Sequence, residues 1–221
     1  MHWQVQTIME FLGITGLGLF CAAVLLLNAT PGPDTAYIVG RSVAQGRTAG
    51  LVSALGISAG CLVHSVASAF GLSAILAASA TAFGIVKLVG GAYLIYIGLR
   101  MLLARPAAHP VQEASSPALR PLPTIFWQAV LTNVLNPKVV LFFLSFFPQF
   151  VHTDAPHKTA AFLVLGMIFI AITTAWNSGT AFLAGSLARR AGRNPRVKLW
   201  LERSVGAAFI ALGARLALSK N

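Results

Sequence analysis

The 221 residues are 57% hydrophobic and only 10% charged, with a mean hydropathy of +0.77. A soluble domain carries about 25% charged residues, so a chain this apolar cannot cover its own surface in water, and a soluble globular fold is excluded. The net charge of +11 does not indicate nucleic acid, because Lys and Arg lie in short connections between apolar runs rather than on a polar element.

A membrane-spanning helix needs roughly 20 residues, so the length predicts one transmembrane domain over 1–221 with six spans. Met1 to Glu10 contains no Lys or Arg and lacks the basic start of a secretory signal. The first apolar segment, Phe11–Leu27, is therefore expected to be a retained span. From Thr48 to Val86 no residue is charged. That run is too long for one helix and suits two, Thr48–Gly71 and about Phe83–Leu103. Ala104–Pro123 holds five of the 11 prolines and reads as a polar loop. The fourth segment is Ile125–Val151, the fifth runs from Thr159 to about Leu187, and the sixth covers about Leu199–Leu218.

Most of the 16 basic residues follow the first, third and fifth segments: Arg41 and Arg47, then Arg100, Arg105 and Arg120, then the run from Arg189 to Arg203. Positively charged connections face the cytoplasm, which puts both termini on the opposite side. Three spans per half (about 11–103 and 125–218) would make the halves an inverted repeat. The fold class expected is therefore all-α, a polytopic membrane protein of six helices in two inverted three-helix repeats.

Each half opens with a segment broken at proline, and matching Pro- or Gly-interrupted segments point to a transporter binding site. The first break is Asn28-Ala29-Thr30-Pro31-Gly32-Pro33-Asp34. Two prolines and a glycine cannot continue a regular helix, and freed backbone at membrane depth is tolerated only inside protein or beside water. Thr30-Pro31 reads as a cap and first-turn pair. The plainer alternative is a loop that ends a span. The second break, Asn133-Val134-Leu135-Asn136-Pro137-Lys138, puts a cap and a first-turn proline in mid-segment. Two helix N-termini aimed at one cavity would suit a carboxylate. Lys138 adds a positive charge, unless it snorkels to an interface. Asp34 is an acid able to receive an amino group or a proton, and intramembrane ionisable groups are functional candidates because their burial is costly.

His64 belongs to a stripe of small residues, Ser53, Gly56, Gly60, Ala67 and Gly71, that suits close helix packing. A proton-relay role is the alternative. The fifth segment carries Gly166, Thr173, Asn177 and Thr180 on one face, a pattern for hydrogen bonds between helices. Cys21 and Cys61 read as small buried hydrophobes. No HExxH, GxSxG, phosphate loop or metal-ligand cluster occurs in the sequence, so no enzyme, metal or cofactor is expected.

Several of these motifs together resemble the LysE/RhtB family of bacterial amino-acid exporters. They are Pro31-Gly32-Pro33-Asp34, Gly46-Arg47 with Gly50, Gly56-Ile57-Ser58-Ala59-Gly60 with His64, Gly90-Gly91-Ala92-Tyr93-Leu94-Ile95-Tyr96-Ile97-Gly98, Asn136-Pro137-Lys138 and Pro148-Gln149-Phe150-Val151. The resemblance covers about residues 10–218. It implies a secondary exporter in the bacterial inner membrane that moves amino acids or close derivatives out of the cytoplasm by proton exchange. Within that family pattern Asn as well as Asp occurs at the position of Asp34. The alternative is a non-transporting membrane subunit or a channel-like pore. The site expected comprises Pro31, Gly32, Pro33, Asp34, His64, Asn133, Asn136, Pro137, Lys138 and Asn177. The partners expected are an amino-acid substrate, membrane lipid and, as an option, a second copy of the chain.

Overall fold

The structure, a computed structural model, describes residues 10–78, 85, 88, 92, 95, 96, 99, 103 and 120–191. Among these residues the regular structure is helical. The elements are Leu17–Ala29 (α1), Pro33–Gln45 (α2), Arg47–Ala78 (α3), Leu122–Val134 (α4), Pro137–Ser145 (α5), a 3-10 turn at Phe147–Phe150 and Lys158–Ala191 (α6). The expected sixth span, the loop up to residue 119, and all but a few positions of the expected third span lie outside the described residues.

Arg47–Leu72 within α3 and Lys158–Ala184 within α6 are each long and apolar enough to cross a membrane. Two further spans result if each broken pair counts as one. Those pairs are α1 with α2, bent by 54°, and α4 with α5 and the 3-10 turn, bent by 50°. Among the described residues, helices thus cover four of the six expected apolar segments, two of them broken where the prolines predicted a break.

Local chemistry explains where the helices begin and end. The first helix starts at Leu17 rather than Phe11. Gly13 and Gly16 take positive φ, 66° and 65°, a region that side-chain-bearing residues avoid. The chain ahead of α1 instead pairs with the end of the second broken rod. Ile14 bridges Val151, Thr15 N–H donates to Phe150 O at 3.0 Å, and His152 N–H donates to Gly13 O at 2.9 Å. At the first break, Thr30 closes α1 instead of opening α2: its hydroxyl donates to Leu26 O at 2.8 Å. The cap of α2 is Gly32 and its first residue is Pro33. At the second break Asn136 caps α5 through Oδ1, which accepts from Lys138 N–H at 3.1 Å, and Pro137 takes the first helical position, where its missing N–H costs nothing.

The two broken rods lie antiparallel. Ile14 meets Val151 at one end, the breaks meet in the middle, and Gln45 meets Arg120 at the other end through Gln45 Nε2 donating to Arg120 O at 2.9 Å. Helix α3 packs against both α4 and α6. It approaches α4 closely because Gly56 and Gly60 present no side chain. A Cβ on Gly56 would lie 2.5 Å from Phe126 O, and one on Gly60 would lie 2.6 Å from Asn133 Oδ1.

The apolar core is concentrated at the Val151 end. Phe20, Phe142, Phe143, Phe146, Phe147 and Phe169 are all buried there. Phe143 stacks on Phe147 at 4.2 Å and meets Phe169 edge-on at 4.8 Å. Phe20 closes the cluster with T-shaped contacts to Phe147 and Phe150. Such offset and edge contacts are the preferred aromatic geometries.

Candidate functional site

The two breaks are joined side chain to side chain. Asn133, fully buried at the end of α4, donates from Nδ2 to Asp34 Oδ2 at 2.8 Å. Asp34 sits in the first turn of α2, where a negative charge complements the helix dipole. Lys138, in the first turn of α5, donates from Nζ to Leu27 O at 2.6 Å and to Thr30 O at 2.9 Å. The ammonium therefore caps the C-terminal end of α1, where the prolines leave carbonyls without the N–H partners a continuous helix would supply. Two of its three N–H donors are used in this way. The same side chain runs beneath the first break, with its Nζ 3.8 Å from where a Cβ on Gly32 would stand.

A cavity of about 20 Å³ lies between the breaks, room for about one water molecule. Gly32, Asp34, Asn133, Asn136, Lys138 and Asn177 line it; all six are among the residues singled out from the sequence. Pro31, Pro33 and Pro137 shape the breaks from exposed positions and do not line the cavity. His64 stands behind it: Nε2 is 3.3 Å from Asn133 O and the ring packs 5.5 Å from Phe143. It touches the backbone that carries Asn133 and is absent from the cavity wall.

Two acceptors in this cluster are left over. Asp34 Oδ1 and Asn133 Oδ1 are both buried with no hydrogen-bond donor. A buried acceptor without a donor is costly, so this pair marks the place where an N–H or O–H is wanted. At the same spot the N-terminus of α2 has no side-chain cap, and first-turn N–H groups have no intrahelical acceptor. The arrangement offers acceptors for an ammonium group, and N–H groups with a lysine for a carboxylate.

The cavity also includes residues outside the ten expected of the site. Asn28 on α1 donates to Thr173 Oγ1 on α6 at 3.1 Å, and both line the wall, as do Thr35 and Cys61. Asn28 stands just before the proline break, and Thr173 one turn before Asn177 on the polar face of α6. That spacing is the signal that could have found them. Cys61 lies one residue past Gly60, on the face α3 turns to the break. Its type alone carries no signal.

Arg41 departs most from its expected position. Read as a charge in a connection, it lies within α2 and is only 8% exposed. Its guanidinium donates to Gln45 Oε1 at 3.1 Å and to Gln128 Oε1 at 3.3 Å, and it sits 5.4 Å from the centre of the Tyr37 ring. Tyr37 donates from its hydroxyl to Ile125 O at 3.1 Å and lies 3.2 Å from Gln128 Oε1.

The family model described as LysE type translocator matches residues 25–220. An uncharacterised membrane protein of Pseudomonas aeruginosa is 32% identical over 215 residues, covering 95% of this chain and 98% of that protein. A homoserine/homoserine lactone efflux protein of Salmonella typhimurium is 29% identical over 198 residues, 89% of this chain and 93% of its own length. A leucine efflux protein of the same organism is 25% identical over 205 residues, 93% and 96% respectively. No solved structure matches the chain.

Proposed function

This chain belongs to the LysE type translocator family of membrane proteins, and from that premise we propose that it exports amino acids or close derivatives from the cytoplasm in exchange for protons. The observation that carries the reading is the pair of donorless acceptors, Asp34 Oδ1 and Asn133 Oδ1, on side chains that line the same cavity as Lys138, beside the uncapped start of α2. An α-amino acid brings an ammonium and a carboxylate held a fixed short distance apart. The ammonium goes to Asp34 and Asn133. The carboxylate goes to the first-turn N–H groups of α2 and the remaining N–H of Lys138. A proton on Asp34 satisfies the same acceptor when the substrate has left, which gives exchange a chemical basis. Leucine and homoserine, which the names of two relatives carry, are the first substrates to try.

The cavity holds about one water molecule, so the form described here is closed and must widen to admit a substrate. A closed cavity of this size is also unlike an open pore. In this reading the arginine-bearing end of the broken rods faces the cytoplasm, and six spans form two inverted repeats in the inner membrane. The matching bends of 54° and 50° at the two proline breaks support that symmetry.

The test is uptake of labelled leucine and homoserine into inside-out vesicles with and without an imposed proton gradient. Gradient-dependent accumulation that is lost in Asp34→Ala and Lys138→Ala is expected. The reading fails if neither compound accumulates, or if both variants transport normally.

A further inference from the structure

Arg41 presents a problem that the central cavity does not solve. A guanidinium is a permanent cation, and a buried charge is normally paired with an opposite one. Here its partners are two neutral amide oxygens, Gln45 Oε1 and Gln128 Oε1, and the face of Tyr37. No Asp or Glu among the described residues forms an ion pair with it. Two of its five N–H groups bond to partners among the described residues.

Its position gives the vacancy in charge a direction. Asp34, Tyr37, Arg41 and Gln45 recur at three- and four-residue steps, so they form one stripe along α2. The stripe begins at the cavity and ends at the arginine-bearing end, with Arg41 on the order of 10 Å from Asp34 along the helix. Against it stands Gln128 on α4. Its single oxygen meets both Arg41 and the Tyr37 hydroxyl. Beyond it, Gln45 clasps the backbone of Arg120 from both sides: Nε2 donates to Arg120 O at 2.9 Å, and Oε1 accepts from Arg120 N–H at 3.0 Å. One glutamine thus ties Arg41 to α4, and the other ties Arg41 to the chain that leads into α4.

We propose that Tyr37, Arg41, Gln45 and Gln128 form a latch between the cavity and the arginine-bearing end, opened when Arg41 takes the carboxylate of an arriving substrate. The proposal rests on the amino-acid reading for the identity of that carboxylate. A carboxylate can bond a guanidinium bidentately, and such charge-assisted bonds are about twice as strong as neutral ones. Taken end-on by both terminal nitrogens, it competes with the glutamine oxygens bonded to them, so it binds the open latch in preference to the closed one. That difference in affinity is what shifts a conformational equilibrium. Once Gln128 is released from Arg41 it no longer ties the guanidinium of α2 to α4. Arg41 is then a specificity residue: a free acid opens the latch, and an amide or lactone of the same side chain does not.

The chain carries its own reporter. Cys61 lines the cavity and is buried, and the only other thiol is Cys21. In a Cys21→Ser background, the rate at which a membrane-impermeant thiol reagent labels Cys61 in inside-out vesicles measures opening at the arginine-bearing end. Leucine or homoserine should speed labelling several-fold, whereas leucinamide or homoserine lactone should not. Arg41→Gln should remove the response, and Arg41→Lys should keep part of it. Gln128→Ala, and independently Gln45→Ala, should label fast without any ligand. The latch is overturned if neither glutamine variant labels faster, or if acid and amide act alike. Export seen in vesicles alongside either of those results leaves the export reading standing and removes only the latch. If no amino acid is exported and none speeds labelling, the carboxylate trigger falls together with the export reading.

Discussion

Asn133 and Asp34 are 99 residues apart in the chain and 2.8 Å apart across the two helix breaks. The bond uses the amide nitrogen of Asn133 and one oxygen of Asp34, and leaves Asp34 Oδ1 and Asn133 Oδ1 without a donor. A pair that satisfies itself only halfway is poised to bind a third group.

Asp34→Asn separates charge from shape. An amide oxygen at that position still accepts from Asn133, so the variant should fold and melt within a few degrees of the parent. It loses a charged acceptor for ammonium or proton, a contact worth about 1.5–3 kcal/mol. Export of leucine or homoserine should fall roughly 10- to 100-fold. Vesicle flux together with a melting curve in detergent checks both halves, and unchanged flux would remove Asp34 from the mechanism.

Lys138→Met tests the capping role directly. The change leaves Leu27 O and Thr30 O without the ammonium that both now accept from. An unpartnered buried acceptor costs about 1–3 kcal/mol, so the melting temperature should drop by roughly 5–10 °C. A variant that melts with the parent would show that water or backbone adjustment replaces the lysine.

Gly60→Ala and Gly56→Ala should fail differently. The added Cβ at Gly60 meets only the Asn133 side chain, at 2.6–2.9 Å. Turning the amide clears Oδ1 and Cγ but not the fixed Cβ at 2.7 Å, so binding at Asp34 should suffer as well as stability. At Gly56 the Cβ meets Phe126 O at 2.5 Å and Ala129 Cβ at 2.6 Å, neither of which can rotate aside. There the helices must separate, with a stability loss of about 1–3 kcal/mol. Parallel melting and binding measurements distinguish the two, and identical profiles would count against this assignment.

Gly13→Ala probes the far end of the rods. The residue has φ of 66°, and its Cβ would stand 2.7 Å from Ala155 Cβ. The left-handed backbone alone costs roughly 1–2 kcal/mol with a side chain. The expected result is a lower melting temperature and faster hydrogen exchange at His152 and Thr15, whose N–H groups depend on this pairing.

The sequence made the apolar segments and both breaks legible, because proline and glycine act through the local backbone. Asn136-Pro137 is the clear case, since cap and first-turn residue are adjacent. Thr30 misled for the same reason. Its neighbour Pro31 looks like a helix start, yet with a second proline at Pro33 the hydroxyl does better closing α1. What the sequence could not show is which groups meet across the chain. The bonds from Lys138 to Leu27 and from Arg41 to Gln128 join residues 111 and 87 positions apart. Arg41 in particular has the composition of a loop charge and the burial of a core residue.

The two ends of the broken rods are closed by different materials. At the Val151 end, ring packs on ring around Phe143, Phe147 and Phe20. At the Arg120 end, amides clasp a guanidinium and a stretch of backbone. Water can replace amide bonds nearly one for one, but it offers a separated phenylalanine pair nothing. Wetting the polar end is therefore cheap and wetting the aromatic end is not. That difference makes the arginine-bearing end the cheaper of the two to open, and the phenylalanine seal the costlier.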